Sequence, residues 1–241
     1  MSVSVLLLGF MIGMRHALDA DHVAAVASLA TRSQSISDTV RQGAFWGLGH
    51  TATLFLFGTI VQTLDAVISE RLARGLEFMV GLMLILLGID VLRRMIKDRI
   101  HFHAHRHVNG ALHFHAHSHA GEKGHDADQH HHEHSRDFPV RALFVGLMHG
   151  MAGSAALILL TLQAVDTPGQ GLLYIALFGA GSILGMMGLS AVIAIPLRFS
   201  AMGQRLTWLH MGLQGTIGIV TIAMGSVLAY QIGVTEGFSV Q

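Results

Sequence analysis

Apolar residues fill six long stretches of this chain, at about 3–29, 42–64, 73–95, 140–165, 170–197 and 208–232, with polar connections between them. Each is long enough to cross a bilayer's hydrocarbon core of about 30 Å, which takes roughly 20 helical residues. No barrel-like alternation runs through them, and an open strand cannot satisfy its backbone in lipid, so the stretches predict helices. Pro168-Gly169 predicts the turn between the fourth and fifth, and Pro196 the end of the fifth. The first stretch lacks a basic leading region and runs straight into charged residues, so it reads as a retained span. The expected fold class is an all-α integral membrane protein with six transmembrane helices.

Composition agrees with that pattern. The chain has 241 residues, of which 51% are hydrophobic and 12% charged, where soluble domains carry about 25% charged residues. Formal charge is zero and the isoelectric point is near 7.4, so nothing points to nucleic acid as a partner. The absence of cysteine excludes disulfides and thiolate ligands. The 28 glycines suit helices that pack backbone to backbone in lipid. Basic residues divide unevenly: twelve lie in the first, third and fifth connections and two in the second. By the positive-inside rule, that places the odd connections in the cytoplasm, both termini outside, and the protein in the cytoplasmic membrane.

The two halves of the chain also resemble each other. "GMRHALDADHVAAV" aligns with "GLMHGMAGSAALIL", matching Gly13 to Gly146 and His16 to His149. Further along, Gly49 pairs with Gly181, Gly81 with Gly218 and Gly88 with Gly225, at offsets of 132, 137 and 137 residues against 133 for the first motif. Three spans per half force the second copy to enter the membrane in the opposite sense. The expectation is two inverted three-helix repeats, residues 1–96 and 139–241, joined by a connection at 97–138. Secondary transporters recurrently use this design, with the site at the midplane between the repeats.

Arg15, His16, Asp19, Asp21 and His22 interrupt the first apolar stretch within eight positions. Asp or Arg at the bilayer centre costs about 2.5–3.5 kcal/mol each on insertion scales, so such groups normally face the bundle interior and act there. Imidazole with carboxylate suits a divalent transition metal. On a straight helix His16, Asp19 and His22 share one stripe, while Asp21 points about 140° from His16, and His16 lies about 9 Å along the axis from His22. Either the helix breaks near Ala20, or an ion uses a subset of these groups with ligands from another helix. The bland alternative is a local pairing, such as Arg15 with Asp19, that only holds helices together. His50, beside Gly47 and Gly49, is the next candidate ligand; Arg15 is expected in a secondary or gating role, and His149 either in such a role or as a further ligand. Glu77, Asp90 and His210, near span ends, fit a solvated interface. The scattered methionines fit packing rather than copper(I) binding.

Between residues 101 and 134 lie 13 of the 18 histidines. "HFHAHRH" supplies His101, His103, His105 and His107; "HFHAHSH" supplies His113, His115, His117 and His119; "HHHEH" supplies His130, His131, His132 and His134. Such a segment has no packed core to form and is expected to be a disordered cytoplasmic loop that buffers metal. With a pKa near 6.5, free imidazole would release metal on mild acidification.

The string Arg15-His16-Ala17-Leu18-Asp19-Ala20-Asp21-His22, with Gly47-Leu48-Gly49-His50-Thr51, resembles the signatures of the nickel/cobalt transporter superfamily. The pattern around His149 is more like the six-helix branch of urease-associated nickel permeases and nickel/cobalt efflux proteins. The resemblance implies a permease with Ni²⁺ or Co²⁺ as substrate, no prosthetic group, and His16, Asp21, His22 and His50 on the metal path. It also implies cytoplasmic nickel chaperones or nickel-enzyme maturation proteins as partners. No nucleotide-binding GxxxxGK[ST] string is present, so a secondary drive is expected. The competing readings are a membrane-bound, desaturase-like enzyme with histidine boxes, and a metal-storage or sensing protein acting through the loop alone.

Overall fold

A computed structural model describes residues 3–33, 35–64, 69–97, 100–106, 112–118, 139–151, 167–201 and 207–235. The helices are α1 (Val3–His16), α2 (Ala20–Ala30), α3 (Ile36–Leu64), α4 (Glu70–Lys97), α5 (Val140–Met151), α6 (Pro168–Ala201) and α7 (Thr207–Tyr230), the last continued by a π-helical turn, Gln231–Thr235. Four of them, α3, α4, α6 and α7, are long and apolar enough to cross a membrane. Large apolar side chains such as Leu86, Phe144, Val192 and Ile219 stand exposed on their outer faces. A soluble monomer rarely exposes apolar area on this scale, so lipid is its natural cover.

The first predicted span is not one continuous helix. It divides into α1 and α2 around Ala17–Asp19, where Leu18 and Asp19 donate their backbone N–H to the Arg15 and His16 carbonyls, at 2.8 and 3.0 Å. Asp19 adopts extended backbone (φ −61°, ψ 145°) as the N-cap of α2. Its carboxylate makes no capping bond to α2 but faces His16, while Asp21 adds negative charge in the first turn of α2, where the helix dipole is positive. Of the fourth predicted span, α5 covers the start, and 152–165 lies outside the described residues.

Three further expectations need correction. Pro168 does not make a turn but begins α6, at the position where the missing proline N–H is no loss. Pro196 does not end that helix, which runs on to Ala201. Proline within a membrane helix is tolerated where neighbours re-satisfy the freed backbone groups. The histidine-rich connection is also not wholly without order. Ile100–Arg106 (β1) and Leu112–Ser118 (β2) form an antiparallel ribbon pairing His101 with His117, His103 with His115 and His105 with His113. Its alternation of histidine with other residues has the period of a strand, which the compositional argument overlooked.

The helices meet through glycine. A Cβ on Gly13 would collide with the Phe178 carbonyl of α6, and one on Gly181 with the Phe10 carbonyl of α1. In the same way Gly146 of α5 abuts the Trp46 carbonyl of α3, and Gly49 abuts the Leu143 carbonyl of α5. Gly81 and Gly88 of α4 meet Gly225 and Gly218 of α7, which therefore run antiparallel. Swapping each glycine for its sequence counterpart turns the first set of contacts into the second. The core between the helices gathers Ala17, Ala25, Val26, Trp46, Leu84 and Met186.

Candidate metal centre

The break after α1 leaves His16 at the last turn of one half-helix and His22 in the first turn of the next. The stagger that a straight helix would impose is thereby removed, and the two rings approach to 4.4 Å between centroids. His50 of α3 lies 5.3 Å from each of them, and His149 of α5 lies 4.2 Å from His22. One ligand atom from each of His16, His22 and His50 falls within 4.8 Å of the others. A second such group, sharing His22, consists of Asp21, His22 and His149.

Burial separates the members. His22, His50 and His149 are at most 2% exposed, whereas Asp19 is exposed and His16 partly so. Trp46 packs 5.4 Å from His22 and 5.7 Å from His149, and Phe178 lies 5.3 Å from His16, giving the histidines apolar walls. Hydrogen bonds then fix the rings. His16 Nδ1 lies 2.7 Å from Asp19 Oδ2, and His22 Nδ1 lies 2.9 Å from Asp21 Oδ1. Asp21 Oδ2 is 3.0 Å from His149 Nε2. His22 Nε2, His149 Nδ1 and both nitrogens of His50 are buried with no hydrogen-bond partner among the described residues. Native proteins rarely bury a polar atom without a partner, because each costs roughly 1–3 kcal/mol. Here such nitrogens belong to three neighbouring histidines, each of which, as neutral imidazole, can offer one lone pair to nickel, cobalt or zinc.

The structure places His16, Asp19, Asp21, His22 and His50 close to one another, with His149 of α5 beside Asp21 and His22. Arg15 is exposed and does not take Asp19, whose carboxylate faces His16 instead. The loop histidines His101, His103, His105, His113, His115 and His117 occupy register positions on the ribbon. His107, His119, His130, His131, His132 and His134 lie outside the described residues. Trp46 and Phe178 were missed, because an aromatic on an apolar helix carries no sign of what it packs against. Asp90 is more than a solvated interface residue: Arg32, Arg94 and Arg141 all reach its carboxylate.

A family model described as high-affinity nickel-transport protein, NicO, matches residues 2–238. The chain is 36% identical over 235 residues to the urease accessory protein UreH of Bacillus sp. (strain TB-90), covering 98% of this chain and 94% of that protein. It is 24% identical over 187 residues to a putative nickel/cobalt efflux system of Methanocaldococcus jannaschii, covering 75% of this chain and 72% of that one. No solved structure matches it. The desaturase-like reading is set aside by these matches, since they point to transport rather than to an enzyme. The chain belongs to the NicO family of nickel-transport proteins, and its apolar helices make it a membrane member of that family.

Proposed function

We propose that this chain is a secondary permease carrying Ni²⁺, and Co²⁺ as a related substrate, across the cytoplasmic membrane. The observation that carries the reading is the convergence of His16, His22 and His50 at a broken helix, each with one ligand atom within 4.8 Å of the others, and with buried unpartnered nitrogens on His22 and His50. A hydrated dication entering this cluster exchanges water for imidazole, with Asp19 and Asp21 supplying negative charge beside it. Half-helices meeting at a site are what transporters of inverted-repeat design use.

The architecture in this reading is six spans, arranged as two inverted repeats at 1–96 and 139–241. The reciprocal glycine contacts support it, as does the antiparallel course of α4 and α7, whose glycines the sequence pairs. The connection at 97–138 lies in the cytoplasm with both termini outside, following the basic residues. Its histidines take up arriving ions and pass them to nickel chaperones or nickel-enzyme maturation proteins. Rocking of one repeat against the other exposes the site to each side in turn. We read the direction as inward. The membrane potential favours cation entry by about 2.3 kcal/mol per charge per 100 mV, and the UreH relative is named as a urease accessory protein.

The test is accumulation of ⁶³Ni in cells expressing the full chain against a vector control and against His22→Ala. Label above control, abolished by the substitution while the protein still reaches the membrane, is the expected result. Label below control that returns on substitution means export. No difference in either direction removes the proposed activity.

A further inference from the structure

Two of the five residues in the charged motif are carboxylates, and their hydrogen bonds assign them a different part from the histidines. A neutral imidazole carries one N–H and one lone pair, and an ionised carboxylate can only accept. The ring nitrogen facing a carboxylate must therefore hold the proton. His22 faces Asp21 Oδ1 through Nδ1, and the same oxygen accepts the His22 backbone N–H at 2.9 Å. That leaves the lone pair on His22 Nε2, which is the atom buried without a partner. His16 is held likewise, through Nδ1 to Asp19 Oδ2. The second oxygen of Asp21 takes His149 through Nε2, leaving the His149 lone pair on its unpartnered Nδ1.

We infer that Asp19 and Asp21 are positioning residues rather than ligands, and that the ion is held by the imidazoles of His16, His22 and His50. The inference rests on the permease reading above and adds the role of each group within it. For Asp21 to ligate, it would have to release the hydrogen bond that sets the tautomer of His22, and the bond to His149 with it. Across an ion bound at about 2.0–2.1 Å, opposed ligand atoms lie no more than about 4.2 Å apart. The three rings, with atoms within 4.8 Å, reach that by small shifts. A carboxylate behind a metal-bound histidine fixes the ring and raises its basicity, and its loss typically costs 10–100-fold in affinity. An imidazole shell without carboxylate oxygen also disfavours Mg²⁺ and Ca²⁺, which take oxygen ligands. This separates nickel from the far more abundant hard cations.

The experiment uses the purified full chain in detergent, with nickel itself as the probe. Affinity and nickel-induced infrared spectra are recorded for wild type, Asp21→Asn, Asp21→Ala and Asp19→Asn near pH 6, where the loop imidazoles are largely protonated. They are read as differences from wild type, so that the loop's common contribution cancels. Imidazole bands should shift on binding, with no carboxylate-ligation band that disappears in the Asn variants. Asp21→Ala should lose 10–100-fold in affinity. Asp21→Asn should lose less, because its amide oxygen still accepts the His22 N–H. Excess Mg²⁺ should not compete. An Asp21-dependent carboxylate–nickel band, equal losses in the Asn and Ala variants, or displacement by Mg²⁺ would overturn the assignment while leaving the permease reading intact. Absence of ⁶³Ni transport by the wild type would instead sink the permease reading itself.

Discussion

Asp21 and Asp90 each collect several partners, yet they sit in opposite kinds of site. Asp90 accepts from Arg32, Arg94 and Arg141, with Arg32 at 2.7 Å and bidentate, and Arg94 also reaches the Thr31 hydroxyl. Its partners carry permanent charge and no lone pair, so they neutralise the carboxylate and offer nothing to a further ligand. The partners of Asp21 are imidazoles, which satisfy the carboxylate with one nitrogen and keep a lone pair on the other. Exposure differs in the same sense. The two carboxylates are about equally exposed, Asp90 at 29% and Asp21 at 31%, but the arginines around Asp90 are 27–42% exposed, where water screens them, while the His22 and His149 side chains are 3% exposed. The lesson is that a hub of charge whose every group is matched is a structural tie, here joining the end of α2 to α4 and α5. A hub with converging unmatched nitrogens is arranged for an ion.

The comparison breaks most visibly on transport. Replacing His50 by Ala should reduce ⁶³Ni uptake to the control level with protein present in the membrane, whereas Asp90→Asn should leave nickel affinity within about twofold. If Asp90→Asn abolishes binding, the two hubs are not functionally distinct. Replacing His149 by Ala should weaken nickel affinity about tenfold, the lower end of what loss of a supporting partner costs. A loss equal to that of His22→Ala would make His149 a direct ligand. On stability the order reverses. Asp90→Asn should lower the thermal midpoint in detergent by a few degrees, because exposed ion pairs contribute about 1 kcal/mol or less each. The smallest effect on flux is expected from deleting residues 101–134. Uptake should persist, and the purified chain should lose the nickel ions that come off between about pH 7 and 6, where free imidazoles protonate. Loss of all flux on that deletion would move the transport site into the loop.

Much of this was legible along the chain. Charged and imidazole groups inside an apolar stretch carry so large an insertion penalty that their presence alone marks a site. The glycine positions shared by the halves were also visible, because backbone contact between helices leaves no room for a side chain. Other features were not. The extent of α6 through Pro196 depends on neighbours that composition does not name. Ribbon pairing in the histidine-rich connection follows a two-residue period that its overall polarity obscured.

The amino-acid sequence by itself determined the membrane class, the candidate ligands His16, Asp19, Asp21, His22 and His50, and the likeness of the two halves. These depend on residue type and spacing, which hydrophobicity and ligand chemistry read directly. Only the tertiary structure decided that the first span breaks at Asp19 and that His149 joins the cluster from α5. It alone also decided which nitrogen of His16, His22 and His149 faces a carboxylate, and that both nitrogens of His50 are buried without a partner. Those are matters of direction in space, set by how α1, α2, α3 and α5 pack, and no residue spacing along one helix encodes them.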